Sequence, residues 1–182
     1  MKLSSFTIVA TFVAATLIPV QTAIAATADE LRRDGQAALN SLYSKNPGAK
    51  GIGKNAVAVL VFPGIVKAGL GVGGQYGEGV LFKGGKAAGY YNTAGASVGL
   101  QAGGQKYGYA LFFLNNETLK ALDQANGFEI GVGPSVVVAD EGMGKSTTTT
   151  TAQDKIYAFI FDQKGAMAAL GLQGNKITKI EK

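Results

Sequence analysis

Ala139, Gly144, Lys145 and Ser146, in the stretch ADEGMGKST, have the spacing of a relaxed phosphate-binding loop: a small residue, four more, then Gly-Lys-Ser. An apolar run, SVVVAD, precedes them as a strand would, and IYAFIFD ends in Asp162, like the magnesium-holding strand of a nucleotide hydrolase. The chemistry implied is a lysine on the terminal phosphates with backbone amides around them. That chemistry requires a helix directly after the loop, whose N-terminal amides face the phosphates. Here Ser146 is followed by five threonines, residues 147–151, and β-branched threonine is a poor helix former. Asp140 and Glu141 would lie inside the loop and repel phosphate. The segment therefore reads as a strand-to-strand connection, its threonines as loop or edge strand, and Asp162 as a turn residue. Nucleotide is not an expected ligand.

Other catalytic chemistries are thinly supplied. The chain has no Cys and no His, which removes thiol chemistry, Cys-zinc sites and the commonest metal ligand and general base at neutral pH. The carboxylates Glu78, Glu117, Asp123, Glu129, Asp140, Glu141, Asp154 and Asp162 show no pair whose spacing implies a general acid and base. No serine lies in a nucleophile elbow. The expectation is a protein that is not an enzyme and takes no cofactor and no metal. Glu78, in GEGV, is the most distinctive acid and has two readings, a buried carboxylate accepting backbone hydrogen bonds, which is preferred, or a functional acid. The formal net charge is +5, of which Lys2 contributes one. Arg32, Arg33, Lys45, Lys50, Lys54 and Lys67 gather in the N-terminal third, a set that suits an anionic lipid headgroup. No basic stripe is interleaved with stacking aromatics, so nucleic acid is not an expected partner.

The elements that must position these residues begin after a leader. Lys2, the mostly apolar residues 6–20 and the small residues AIA at 23–25 have the form of a secretory signal peptide over residues 1–25, cut before Ala26. The apolar part is shorter than the roughly 20 residues a membrane-spanning helix needs. Lacking Cys, the chain cannot carry the lipid-modified N-terminus of a bacterial lipoprotein. The expected location is periplasmic, in contact with the envelope membrane. The domain then covers residues 26–182, with a helix over 26–46 and a sheet-rich body over 55–182. Thr27 and Glu30 form a capping box, and Leu31, Ala38, Leu39 and Leu42 share one helical face. Pro47 and the glycines after it are expected to stop the helix. That leucine face has two readings: it lies on an anionic bilayer beside its arginines, or it packs onto the sheet and leaves them in solvent.

AVAVLVFPG reads as a buried strand ended by Pro63, GVLFKGGKAAGYY as a hairpin turning at Gly84-Gly85, and YALFFLN as a further strand. NETLKALDQANG is a second helix, capped by Asn115 or Asn116 and stopped by Gly127. FEIGVGPSVVVAD, KIYAFIFD and AALGLQGNKITKI supply more strands. Residues 69–82 and 99–112 align without gaps, with Gly, Leu, Gly, Gly, Gln, Leu and Phe matching, which suggests two equivalent strand pairs in one antiparallel sheet. Gly69, Gly73 and Gly77 also have the period of a membrane glycine zipper, but Gln75, Glu78, Lys83 and Gln101 interrupt any apolar span, so strands are preferred. A small outer-membrane barrel is disfavoured by the two helices and the lack of aromatic girdles.

Taken together, VFPGIVKAGLGVGGQYGEGVLF, GASVGLQAGGQ and DQKGAMAALGLQGNKI resemble the SYLF-domain family. The resemblance rests on Phe62-Pro63, Lys67, Gly69, Gly71, Gly73 and Gly77-Glu78-Gly79, then Gly99, Gln101 and Gly103, then Gly165. Gly108 stands where the family usually has Asp, and VADEGMGKS replaces the family's usual segment, with Lys145 in place of Arg. The resemblance implies a non-catalytic domain; eukaryotic members bind phosphoinositides and associate with actin regulators, and bacterial members are exported. The expected fold is a single α+β domain, a glycine-rich, curved, mainly antiparallel sheet with an N-terminal helix and one further helix. The expected partner is an anionic membrane lipid, or alternatively an envelope protein in a structural or interaction module without lipid binding. The oligomeric state is open.

Overall fold

The computed structural model describes residues 25–132, 134–138, 155–161, 172 and 174–182, with backbone alone described at 70–71, 97–105 and 155. The phosphate-loop pattern at 139–146, the threonines 147–151, Asp162 and Gly165 lie outside the described residues. The protein is an α+β domain whose described residues form three α-helices and a six-stranded, mostly antiparallel sheet.

Helix α1 (Ala28–Lys45) starts as its sequence dictates. Thr27 accepts from the Glu30 amide, and the Glu30 carboxylate returns to the Thr27 amide at 2.9 Å, closing the capping box. α1 stops at Lys45, just before Pro47 as expected, but helix resumes at once. Asn46 caps a second helix, α2 (Pro47–Gly53), by accepting from the Ala49 amide at 3.0 Å. Proline in the first turn of a helix loses no hydrogen bond, because that amide has no intrahelical acceptor. Between the two helices the chain therefore changes direction rather than losing helicity.

Strands β1 (Ala58–Lys83) and β2 (Lys86–Phe113) form one long antiparallel hairpin. Gly84 and Gly85 turn it with φ of 57° and 76°, the two left-handed residues that a tight two-residue turn requires. β1 is not ended by Pro63. The ladder shifts register between Phe62 and Ile65, so Pro63, which has no amide to donate, falls in a bulge and the strand continues.

After Asn115 caps α3 (Asn116–Leu119) and its 3₁₀ continuation over Lys120–Asp123, the short β3 (Phe128–Glu129), β4 (Ser135–Val138), β5 (Lys155–Phe161) and β6 (Lys176–Ile180) complete the sheet. Its order is β3-β6-β2-β5-β4, with β1 on the other side of β2; all pairs are antiparallel except β4 with β5. The thirty-residue echo is not two equivalent strand pairs. Its copies fall one on each arm of a single hairpin, and their glycine ends meet: Gly69 faces Gly103 and Gly71 faces Gly99.

The hairpin is also folded back on itself. A side chain placed on Gly77 would come within 2.7 Å of Ile65, and one on Gly79 within 2.7 Å of the Val61 carbonyl, so the second half of β1 lies directly on the first. Only hydrogen at Cα allows that approach. The curl gives the sheet an inside and an outside. Inside, Leu60, Phe62, Ile65, Tyr107, Tyr109, Leu111, Phe113, Ile156 and Ile177 make one core. Outside, Val59, Val61, Val80, Phe82, Phe112, Tyr157 and Phe159 make a second core beneath Leu31, Leu39 and Leu42 of α1 and Ile52 of α2. Burial on both faces explains why AVAVLVF carries no alternation. The three helix leucines contribute about 1.5–3 kcal/mol each by burial.

Candidate functional site

α1 resolves the two readings of its apolar face. Leu31, Leu39 and Leu42 are buried against the sheet, so this face cannot enter a bilayer while the domain is folded. The basic residues point outward. Arg32 pairs with Asp29 at 3.1 Å and Arg33 with Asp34 at 3.0 Å, all well exposed, which makes both pairs energetically slight. Lys45, Lys50 and Lys54 are exposed and have no ion pair among the described residues. They fall at the end of α1, on α2 and just after it, so three free ammonium groups sit within ten residues of chain. Lys67 is separate from them. It is half-buried on β1 opposite Gln105, and no hydrogen bond or ion pair joins it to the helical five among the described residues.

Glu78 differs from its expectation. Its partners are side chains rather than the expected backbone amides: Lys182 Nζ donates to it at 2.7 Å and the Tyr76 hydroxyl at 3.2 Å. The Glu78 and Lys182 side chains are 13% and 10% exposed, and Lys182 Nζ donates also to the Ala26 carbonyl at 2.7 Å. The cluster fastens the stretch leading into α1 to the last part of β1 and to the residues just after β6. Its lone pairs and protons are used within the fold, which is the arrangement of a clasp rather than of a reacting acid.

The motif residues divide by role. Phe62 is fully buried, its ring tilted 43° against that of Tyr109 at 4.9 Å between centroids. Pro63 lies in the bulge, Gly77 and Gly79 at the close approach, and Gly69, Gly71 and Gly73 where the hairpin bends, with Gly99, Gln101 and Gly103 on the facing arm. Gly108, where a carboxylate was expected from the resemblance, has the Phe161 ring over its Cα, so no larger residue fits there.

Sequence reasoning missed a polar network inside the curl. Gln75 donates to Asn175 at 2.5 Å, Tyr107 donates to Gln75 at 2.8 Å, and Tyr109 donates to Thr93 at 2.9 Å. All five residues are buried, and among the described residues no buried side-chain polar atom lacks a partner. Burial pushes the Tyr107 hydroxyl up to about 12 and raises Tyr109 as well. Neutral hydroxyls with satisfied partners lock the curl rather than wait for substrate. The one sequence signal was the alternation of Tyr107 and Tyr109 on one strand face; Asn175, a hundred residues from Gln75, gave none.

No group of three His, Cys, Asp or Glu residues close enough to hold a metal occurs among the described residues. No helix among them is long and apolar enough to cross a membrane. Residues 94–182, from the middle of β2 to the end of β6, match the Ysc84 family model, described as Las17-binding protein actin regulator. Over these residues the chain belongs to the Ysc84 (SYLF) family. The match begins after the first glycine block, so β1 and α1 complete the sheet and second core from outside the matched stretch. Ysc84 domains form a binding family rather than an enzymatic one. No curated protein matches the chain.

Proposed function

We propose that this protein is an exported, non-catalytic binding domain of the cell envelope, periplasmic and associated with anionic lipid headgroups. The observation that carries the reading is the division of labour on α1 and α2: their apolar residues are used up by the core, while Lys45, Lys50 and Lys54 stand in solvent with no ion-pair partner among the described residues. Association of this kind is electrostatic. Three lysines at about 1 kcal/mol each near an anionic leaflet amount to roughly a hundred-fold in partitioning. Arg32 and Arg33 add less, because each already has a carboxylate partner.

Export rests on the leader over residues 1–25, and α1 begins at Ala28, three residues past that leader, with its cap at Thr27. N-terminal sequencing of the protein recovered from its host should begin at Ala26. For binding, vesicles of phosphatidylglycerol and phosphatidylethanolamine should sediment the protein at low salt and release it at high salt, and Lys45→Ala/Lys50→Ala/Lys54→Ala should lose most of the association. Salt-independent association, or none, would contradict the reading. A second reading, a protein-interaction module of the envelope without lipid binding, is favoured by the description of the matched family as binding another protein.

A further inference from the structure

Asn126 is the one asparagine of the chain that is followed by glycine. That pair carries a reaction of its own. The amide nitrogen of the second residue can attack the side-chain carbonyl carbon of the first, and glycine, with no Cβ, leaves the approach open. The other seven asparagines precede a larger residue or, at Asn46, a proline with no amide proton. Asn126 is exposed, in the turn between the 3₁₀ stretch Lys120–Asp123 and β3. Water is the only co-reactant required.

The Gly127 nitrogen gives up its proton and bonds to Asn126 Cγ. The side-chain nitrogen takes up a proton and leaves as ammonia. Water then opens the five-membered imide at one of its two carbonyls. One opening gives aspartate; the other gives isoaspartate, whose main chain is one carbon longer. No oxidant or reductant takes part. The fold acts on the first step. The Gly127 amide donates to the Gln124 carbonyl at 2.9 Å. A hydrogen bond from the neutral amide opposes loss of its proton. Ring closure and the turn therefore compete for one nitrogen.

The same turn is pressed against β6. Gly127 has a φ of 79°, and a side chain placed on it would come within 2.6 Å of the Ile177 carbonyl and 3.3 Å of Lys176 Cε. Phe128, the next residue, is fully buried opposite Ile177, and β3 has only two residues in which to take up a change of length. We propose that Asn126–Gly127 is a self-modification site. It converts to aspartate and isoaspartate when the turn opens, and the hydrogen bond from Gly127 to Gln124 restrains it while the turn is closed. Conversion to isoaspartate loosens β3 from β6.

The test needs no ligand. The full-length protein is held at mildly alkaline pH, either folded or in urea. The proteolytic fragment containing residue 126 is followed by mass, and isoaspartate is read by enzymatic methylation. Asn126→Gln is the control, because its longer side chain closes a six-membered ring far less readily. The proposal expects conversion at Asn126 in urea and none in the control. It expects the folded protein to convert more slowly by roughly ten-fold or more, since only the opened turn reacts. Protein converted in urea and then refolded should melt below Asn126→Gln taken through the same treatment, or fail to refold where that variant refolds. No conversion in urea overturns the site. Equal rates in the folded and unfolded protein overturn the hydrogen bond as its restraint. Equal melting temperatures after conversion overturn the effect on β3.

Discussion

At the scale of single residues, the interior of the curl is held by hydroxyls and amides as much as by apolar packing. Tyr109→Phe removes the partner of buried Thr93 and should cost about 1–3 kcal/mol in denaturant unfolding. The same tyrosines set an alkaline limit. Burial raises the folded pKa of Tyr107 to about 12, whereas an unfolded tyrosine ionises near 10. The unfolded chain therefore loses protons first as pH rises. Stability should be full below about pH 10 and decline between there and 12, by up to about 1.4 kcal/mol per pH unit for each such tyrosine. Melts across that range should show the decline, and a flat profile would remove the network from the account. Glu78→Gln should cost roughly 1.5–3 kcal/mol by stripping a charged partner from Lys182 while leaving vesicle association unchanged. A variant with full stability and lost association would instead make Glu78 a binding residue. Little of this was legible in the sequence. GEGV marked Glu78 as unusual, but its partner Lys182 lies 104 residues away, and no local pattern announces a pairing of that separation.

At the scale of elements, local chemistry was decisive where it acts alone and silent where tertiary contact takes over. The Thr27–Glu30 box and the Gly84-Gly85 turn are set by neighbours in the chain and appear as read. Thr27→Ala should lower stability by about 1 kcal/mol. Leu39→Ala, by opening a hole between α1 and the sheet, should cost about 2–5 kcal/mol. Thermal melts of the two variants should separate the cap from the packing. Pro47 marked the end of α1 but hid a second helix, and Pro63 hid a continuing strand, for different reasons. Pro47 occupies the one helical turn where a missing amide costs nothing, and Pro63 is absorbed by a bulge whose existence depends on the facing strand. The glycine period was ambiguous because the reason for Gly77 and Gly79 is another part of the same strand: Gly79→Val should collide with Phe62 and the Val61 carbonyl and destabilise by about 1–3 kcal/mol or more.

At the scale of the whole molecule, the fold assigns its surfaces. One sheet face is turned inward and filled, and the other is roofed by α1 and α2 over part of its length, with Val66, Val72 and Tyr76 of β1 exposed beyond that roof. The helices spend their apolar residues on that roof and keep their cations outside. The central proposal is that these cations meet an anionic membrane. The most direct measurement is flotation of the protein with phosphatidylglycerol-containing vesicles at low and high salt, compared with phosphatidylcholine alone. The account predicts flotation with the anionic vesicles at low salt, strongly reduced at high salt, and none with phosphatidylcholine. Equal flotation with both lipids, or no flotation with either, would contradict it.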